Sequence, residues 1–383
     1  MAIISGRYGS VQRLLPVSID PSTGKYNWSV DPSDAGFPGN MVSDIWTVPA
    51  EPGITGNPAT NGFAGAGGGQ TVSSITSWTL ENTITTISYT ASSTRGYQGK
   101  LAGLHSCTGN IAGIGGIPPI APGQRFRFLG FVGPTNGQID NPVGVVYAIT
   151  ALVNNVQINL NYQMSNPITW TIGWQSDWQD TGDELQILDS GFYDYTKPPC
   201  ETLLPSTTCT LEIENLDTGA NEPANLSACL ADASITFATE VSTFANSCST
   251  KAGGWQSGVV GTTNCTANAT VHGADYRIFR NAGLPGTNRR VRLYIEGGDL
   301  SAGMSCDQKA YWEFNKMFFG TYSGLNVDVT NNSPLQFQVA MEFNAFPDCE
   351  RGYISYNRGQ GIAAPVNFIS MTPSSTAHGN VEL

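Results

Sequence analysis

"INLNYQMSNPITWTIGW", residues 158–174, decides the fold, because its apolar side chains fall on every second position. They run from Ile158 through Leu160 and Tyr162, then from Ile168 through Trp170, Ile172 and Trp174. A period of two belongs to a strand buried on one face, and the polar interlude ending in Pro167 supplies the reversal of an antiparallel hairpin. The opposite face carries Gln157, Asn159, Asn161, Thr169 and Thr171. The spacing predicts one face for a core and one for water or a polar partner.

The pattern recurs 167 residues later as "LNVDVTNNSPLQFQVAM", from Leu325. Here Leu325, Val327, Val329, Leu335, Phe337, Val339 and Met341 alternate with a polar face of Asn326, Asp328, Gln336, Gln338 and Glu342, and Pro334 marks the turn. Two further matches precede it in the same order. "RFRFLG" from Arg125 matches "RVRLYI" from Arg290 at an offset of 165, and "GYQGKLAGLHSCTGNI" from Gly96 matches "GWQSGVVGTTNCTANA" from Gly254 at an offset of 158. The last pair shares Gly96/Gly254, Gln98/Gln256, Gly103/Gly261, Cys107/Cys265, Thr108/Thr266 and Asn110/Asn268. Three collinear matches, with offsets that drift as loop insertions would make them, read as an internal duplication. Gly96, Gly103, Gly254 and Gly261 are expected in equivalent turns whose backbone suits glycine.

The expected fold is therefore mainly β, with two tandem β-sandwich or barrel-like domains carrying long antiparallel hairpins, few helices and extended terminal arms. An N-terminal arm and loop covers residues 1–70, a first domain 71–180, a Pro- and Thr-rich linker 181–230, a second domain 231–348 and a C-terminal arm 349–383. One helix per domain is allowed for, with "DQKAYWEFNKMFF" (307–319) the candidate.

Composition agrees with many short turns between strands: of 383 residues, 44 are Gly and 22 Pro, and only 13% are charged. A net charge of −12 repels nucleic-acid phosphates, which argues against tight nucleic-acid binding. No apolar run approaches the ~18 residues of a membrane helix, and "MAIISGRYGS" has no leader pattern, so neither membrane anchoring nor Sec-type export is expected. The eight cysteines contain no CxxC pair, which disfavours zinc; buried thiols and a Cys200–Cys209 disulfide both remain open readings.

Catalytic signatures are missing. His105, His272 and His378 have no neighbour at metal-ligand spacing, there is no G-x-S-x-G or H-E-x-x-H, and "AGAGGGQ" lacks the Lys-Ser/Thr of a phosphate loop. "WQSDWQDTGDELQILD" does not match a calcium loop and reads as a hairpin edge followed by a solvated acidic turn. Neither an enzyme nor a cofactor or metal is expected.

The order of these pieces resembles the tail tube proteins of long-tailed bacteriophages: "ISGRYGSV", then the strand "SITSWTLENTITTISYTASS", then "GYQGKLAGLHSCTGN" and a late alternating hairpin. The resemblance covers both copies but neither the first 70 residues, the linker nor the C-terminal arm. It implies a virion structural protein, assembled in the host cytoplasm, that polymerises into stacked rings around a lumen for DNA ejection. Three two-domain subunits would close a pseudo-sixfold ring. Its partners would be further copies of itself, the tape measure, terminator and baseplate proteins, and DNA in non-specific transit. The polar hairpin faces would line the lumen, and the arms would clasp adjacent rings. Two other readings stand beside it: another virion component, such as a terminator, a hub-proximal tube protein or a decoration protein, and a secreted carbohydrate-binding or adhesive β-sandwich with Trp170, Trp174 and Trp178 exposed for sugar stacking.

Overall fold

In the computed structural model of the protein the alternating stretches are strands. The structure describes residues 9–14, 18–19, 26–27, 70–71, 75–114, 118, 122–132, 145–161, 167–178, 183–189, 209–216, 223–244, 254–272, 286–295, 310–326, 336–345, 352–357 and 366–369. The first strands are β1 (Gly9–Leu14), β2 (Ser18–Ile19), β3 (Tyr26–Asn27), β4 (Gln70–Thr71), β5 (Ile75–Tyr89), β6 (Gly99–Ile114), β7 (Arg125–Val132), β8 (Val145–Asn161), β9 (Thr169–Ser176) and β10 (Gln186–Asp189). They are followed by β11 (Thr210–Glu214), β12 (Asn225–Phe244), β13 (Ser257–His272), β14 (Thr287–Ile295), β15 (Ala310–Asn326), β16 (Gln336–Phe343), β17 (Ile354–Asn357) and β18 (Val366–Ile369). The chain is mainly β, as its alternation predicts. Among the described residues there is no α-helix, only a 3₁₀ turn at Ser92–Thr94.

Apart from β2 and β3, which pair with each other, the strands form one large antiparallel sheet that is not closed. Its backbone is a ladder of eight strands. β5, β6, β9 and β8 are neighbours in that order, and so are β12, β13, β16 and β15. The two runs join where β8 pairs with β12, from Asn155↔Ala238 to Asn161↔Asp232. β7 and β14 lie along the other parts of β8 and β15, with β1 beside β7 and β11 beside β14. Strands thus occupy parts of the expected N-terminal arm (β1), linker (β10, β11) and C-terminal arm (β17, β18).

The pairing pattern of the first run reappears in the second. The β6–β9 ladder runs from Thr108↔Gln175 to Ile114↔Thr169, and the β13–β16 ladder from Thr266↔Glu342 to His272↔Gln336, with the same number of steps. The irregularities match too. β5–β6 shifts register between Ile75 and Ser77 and between Ile84 and Thr86; β12–β13 does so between Leu230 and Asp232 and between Thr239 and Val241. β8–β9 shifts between Val153 and Asn155, and β15–β16 between Phe319 and Thr321; a further β15–β16 shift between Ser323 and Asn326 has no counterpart in β8–β9. Such bulges bend and twist a strand, so matching bulges mean matching curvature.

The apolar faces meet in one continuous core. Ile158, Leu160, Ile168, Trp170, Ile172 and Trp174 are all buried, as are Val339 and Met341 of the second hairpin. Trp78, Phe128 and Trp174 make a chain of ring contacts, with centroids 5.5 and 4.9 Å apart. Of the apolar positions named from sequence, Tyr162, Val327, Val329 and Leu335 lie outside the described residues.

Two expectations are corrected. The candidate helix is a strand from Ala310, in which Trp312 and Phe314 are buried two residues apart, and Met317 and Phe319 likewise. Between Arg289 and Val291 the β14–β15 register shifts, so β15 steps from Phe314 to Met317 and its apolar spacing mimics a helical i, i+3 pair. Of the four glycines expected in turns, Gly96 (φ 86°) and Gly254 (φ 83°) have left-handed backbone, whereas Gly103 and Gly261 lie inside β6 and β13. A side chain at Gly103 would collide with the Thr85 hydroxyl, and one at Gly261 would meet the Glu240 carbonyl at 3.2 Å. Close approach at the second bulge, not turn geometry, is what favours glycine there.

Candidate functional site

The face of the long ladder opposite the core is the candidate site. Directly paired residues share a face, so the register writes out its rows. One row runs Ala112, Thr171, Gln157, Thr236, Thr266, Glu342 across β6, β9, β8, β12, β13 and β16. The next runs Ile114, Thr169, Asn159, Ser234, Asn268, Ala340, and a third Asn161, Asp232, Thr270, Gln338. Gln157, Asn159, Asn161, Thr169 and Thr171 are half-buried among these neighbours, and Gln338 and Glu342 are exposed. Asn326 and Gln336 are paired at the end of the β15–β16 ladder, and Asp328 lies outside the described residues.

Amides and hydroxyls dominate this surface. Gln157 Nε2 donates to Asn159 Oδ1 at 3.2 Å along β8. Between the bulges the face carries the carboxylates of Glu81, Asp232 and Glu342 and, among the described residues, no Lys or Arg. Two shallow depressions open on it, one edged by Asn159, Asn161, Asp232, Ser234, Thr270 and Gln338, the other by Thr79, Glu81, Thr108 and Asn110. Such a wall hydrogen-bonds water and repels phosphate. Cys107 and Cys265 are buried on the core side, and burial pushes the Cys107 thiol up to about 12 and Cys265 higher still, so both stay protonated. No group of three or more metal-ligating side chains occurs among the described residues.

No family model and no curated protein matches the chain.

The junction between the two runs was not legible from sequence. Asp177, expected in a solvated turn, is fully buried. Its carboxylate accepts from Arg125 Nε and from the Gly258 backbone N–H at 2.7 Å, while Arg125 Nη2 donates to the Gly258 carbonyl at 2.8 Å. The Trp178 backbone N–H donates to the Gln256 carbonyl at 3.1 Å, and the Ser257 hydroxyl donates to the Trp178 carbonyl. Asp183 is buried as well, accepting from Thr150 Oγ1 at 2.7 Å, with Arg127 3.9 Å away. Trp255 packs on His105 of β6 with the two rings tilted by 40° and their centroids 5.3 Å apart. The only sequence signal was an Arg in the apolar "RFRF" run facing an acidic stretch.

Trp170, Trp174 and Trp178 are 2%, 1% and 8% exposed, so they form no sugar platform. Cys200 lies outside the described residues, and with it the disulfide reading.

The two ends of the ladder are open. Among the described residues β5 pairs with β6 alone, and the 321–326 part of β15 with β16 alone. The corresponding part of β8, residues 155–161, lies between β9 and β12.

Proposed function

We propose that the protein is a virion structural protein, the main tail tube subunit, built from a duplicated β-sandwich or barrel-like unit and closing into rings through its open strand edges. The observation that carries this reading is the ladder itself: one polar face, without Lys or Arg among the described residues, runs unbroken across the β8–β12 junction, and the same kind of edge that meets there has no further partner among the described residues at β5 and at the 321–326 part of β15. Unpaired edge N–H and C=O groups are a liability in a monomer and an adhesive in a ring. Because closure depends on the number of units, three two-unit chains would make a pseudo-sixfold ring.

In that ring Gln157, Asn159, Asn161, Thr169, Thr171, Gln338 and Glu342 line the lumen. A wetted wall with acidic groups and, among its described residues, neither Lys nor Arg gives DNA nothing to grip, so it slides during ejection. The terminal arms, with partners such as the tape measure, terminator and baseplate proteins, would govern stacking and length. Negative-stain electron microscopy across a concentration series tests the proposal. Hollow tubes with a constant axial repeat are expected; assemblies that stop at one ring would point to a terminator-type component, and glycan binding by a persistent monomer to the adhesive reading.

A further inference from the structure

The same pair, a left-handed glycine followed by an aromatic residue, leads into β6 and into β13, bare once and covered once. Trp255, next to left-handed Gly254, is 7% exposed because it sits on β6: His105 N–H donates to the Gly254 carbonyl at 3.0 Å, and Gln256 N–H to the His105 carbonyl at 3.3 Å. These bonds make a parallel bridge between His105 and Trp255. Tyr97 holds the matching place next to left-handed Gly96, yet it is 80% exposed, and Ile87 and Leu101, paired with each other in the same hairpin, are exposed as well. The place on β13 that matches His105 is Thr263, and Gly261–Asn264 are exposed.

We infer that the Tyr97 tip of one copy docks on β13 of a second copy at Thr263, repeating the Trp255–His105 contact, while β5 of the first copy adds to the open part of β15 of the second. The β8–β12 register transfers with one adjustment: Asn159↔Ser234 becomes Asn326↔Thr79 and Val156↔Phe237 becomes Tyr322↔Asn82, with the extra residue of β15 taken up at its irregularity between Ser323 and Asn326. Thr79 and Asn326 then continue the polar face, and the exposed apolar tip gains the cover its counterpart already has. The occupant is a second copy because the chain already builds this contact between its own halves. The inference rests on the reading as a self-assembling subunit and adds which surfaces meet.

The test is disulfide trapping in the full chain carrying Tyr97→Cys and Thr263→Cys, oxidised during assembly and resolved by non-reducing electrophoresis with peptide mapping. Residues across a parallel bridge lie within the ~4.4–6.8 Å Cα separation a disulfide spans. A ladder of covalent oligomers joined through 97–263 is expected. Neither single variant nor the off-register pair Tyr97→Cys with Thr270→Cys should give one. Tubes in the microscope without the 97–263 linkage would overturn the seam and leave the tube reading standing; the linkage without tubes would do the reverse. No linkage and no assembly would overturn both. A second variant guards against local distortion. Tyr97→Asp should leave the monomer's unfolding midpoint unchanged and weaken association about tenfold or more, as loss of an aromatic anchor does, with Tyr97→Trp restoring it; wild-type assembly by Tyr97→Asp would overturn the inference.

Discussion

The β6–β9 and β13–β16 ladders share a register but divide their volume differently. In the first, Gly109 faces Trp174 and Gly113 faces Trp170; in the second, Ala267 pairs with Met341 and Val271 with Phe337. A side-chain carbon at Gly109 would overlap the Trp174 ring, and one at Gly113 that of Trp170. The large ring on one strand requires the missing side chain on its neighbour, and in the second ladder's sequence smaller residues than Trp stand opposite larger ones than Gly. Backbone pairing is therefore the shared quantity, and residue volumes trade off at paired positions.

The junction offers the severest test of the comparison. Asp177 is buried against Arg125 and Gly258, while Asn344, at the matching place after β16, donates to Asn288 at 3.0 Å. Asp177→Ala should destabilise by about 3–5 kcal/mol, because it strands a guanidinium beside a buried backbone N–H. Asn344→Ala should cost about 1 kcal/mol, the worth of one neutral hydrogen bond. Chemical denaturation reads both, and equal losses would break the asymmetry between the closed junction and the open end.

Next in size is the volume exchange. Gly113→Val alone should cost about 1–3 kcal/mol by overpacking, and adding Trp170→Phe should recover most of it, since the double variant copies the residue pair Val271↔Phe337. Additive losses in that double-mutant cycle would show that the two ladders are not interchangeable.

A smaller effect separates the halves by pH. Matching places on β7 and β14 carry Arg127 and Arg292, but Arg292 Nε donates to Glu313 at 2.5 Å, and the Tyr353 hydroxyl donates to the same carboxylate at 2.6 Å. Burial, then the Glu313 contact, pushes Tyr353 up to about 12. Since its folded value lies above the unfolded one of about 10, the associated stability is present below pH ~10 and is lost as pH rises towards 12. Tyr353→Phe should flatten that alkaline decline, measured as unfolding midpoint against pH. The smallest signal is chemical: Cys107 and Cys265, held protonated by burial, should resist thiol reagents at about pH 8 at the same slow rate until the chain unfolds.

The alternation at Ile168–Trp174 was enough to predict hairpin β8–β9, because each side chain there has one face to choose. It failed around Phe314 and Met317, where a change in pairing breaks the period and suggests a helix. Gly103 and Gly261 were recognisable as equivalent, but not as residues beneath a bulge, since the crowding atoms belong to Thr85 and Glu240 on partner strands. The polar positions from Gln157 to Thr171 were legible as one face of a hairpin; their continuation through Thr236 and Thr266 was not, because the β8–β12 pairing joins residues far apart in the chain.

What the amino-acid order determined by itself is local: strand period, the side of each strand that turns polar, and the left-handed turns at Gly96 and Gly254. Which edges are covered was decided only by tertiary structure. Asp177 is buried, Trp255 covered and Tyr97 bare according to whether a distant strand lies against them, and a residue's solvent is set by its neighbours in space, not by those in sequence.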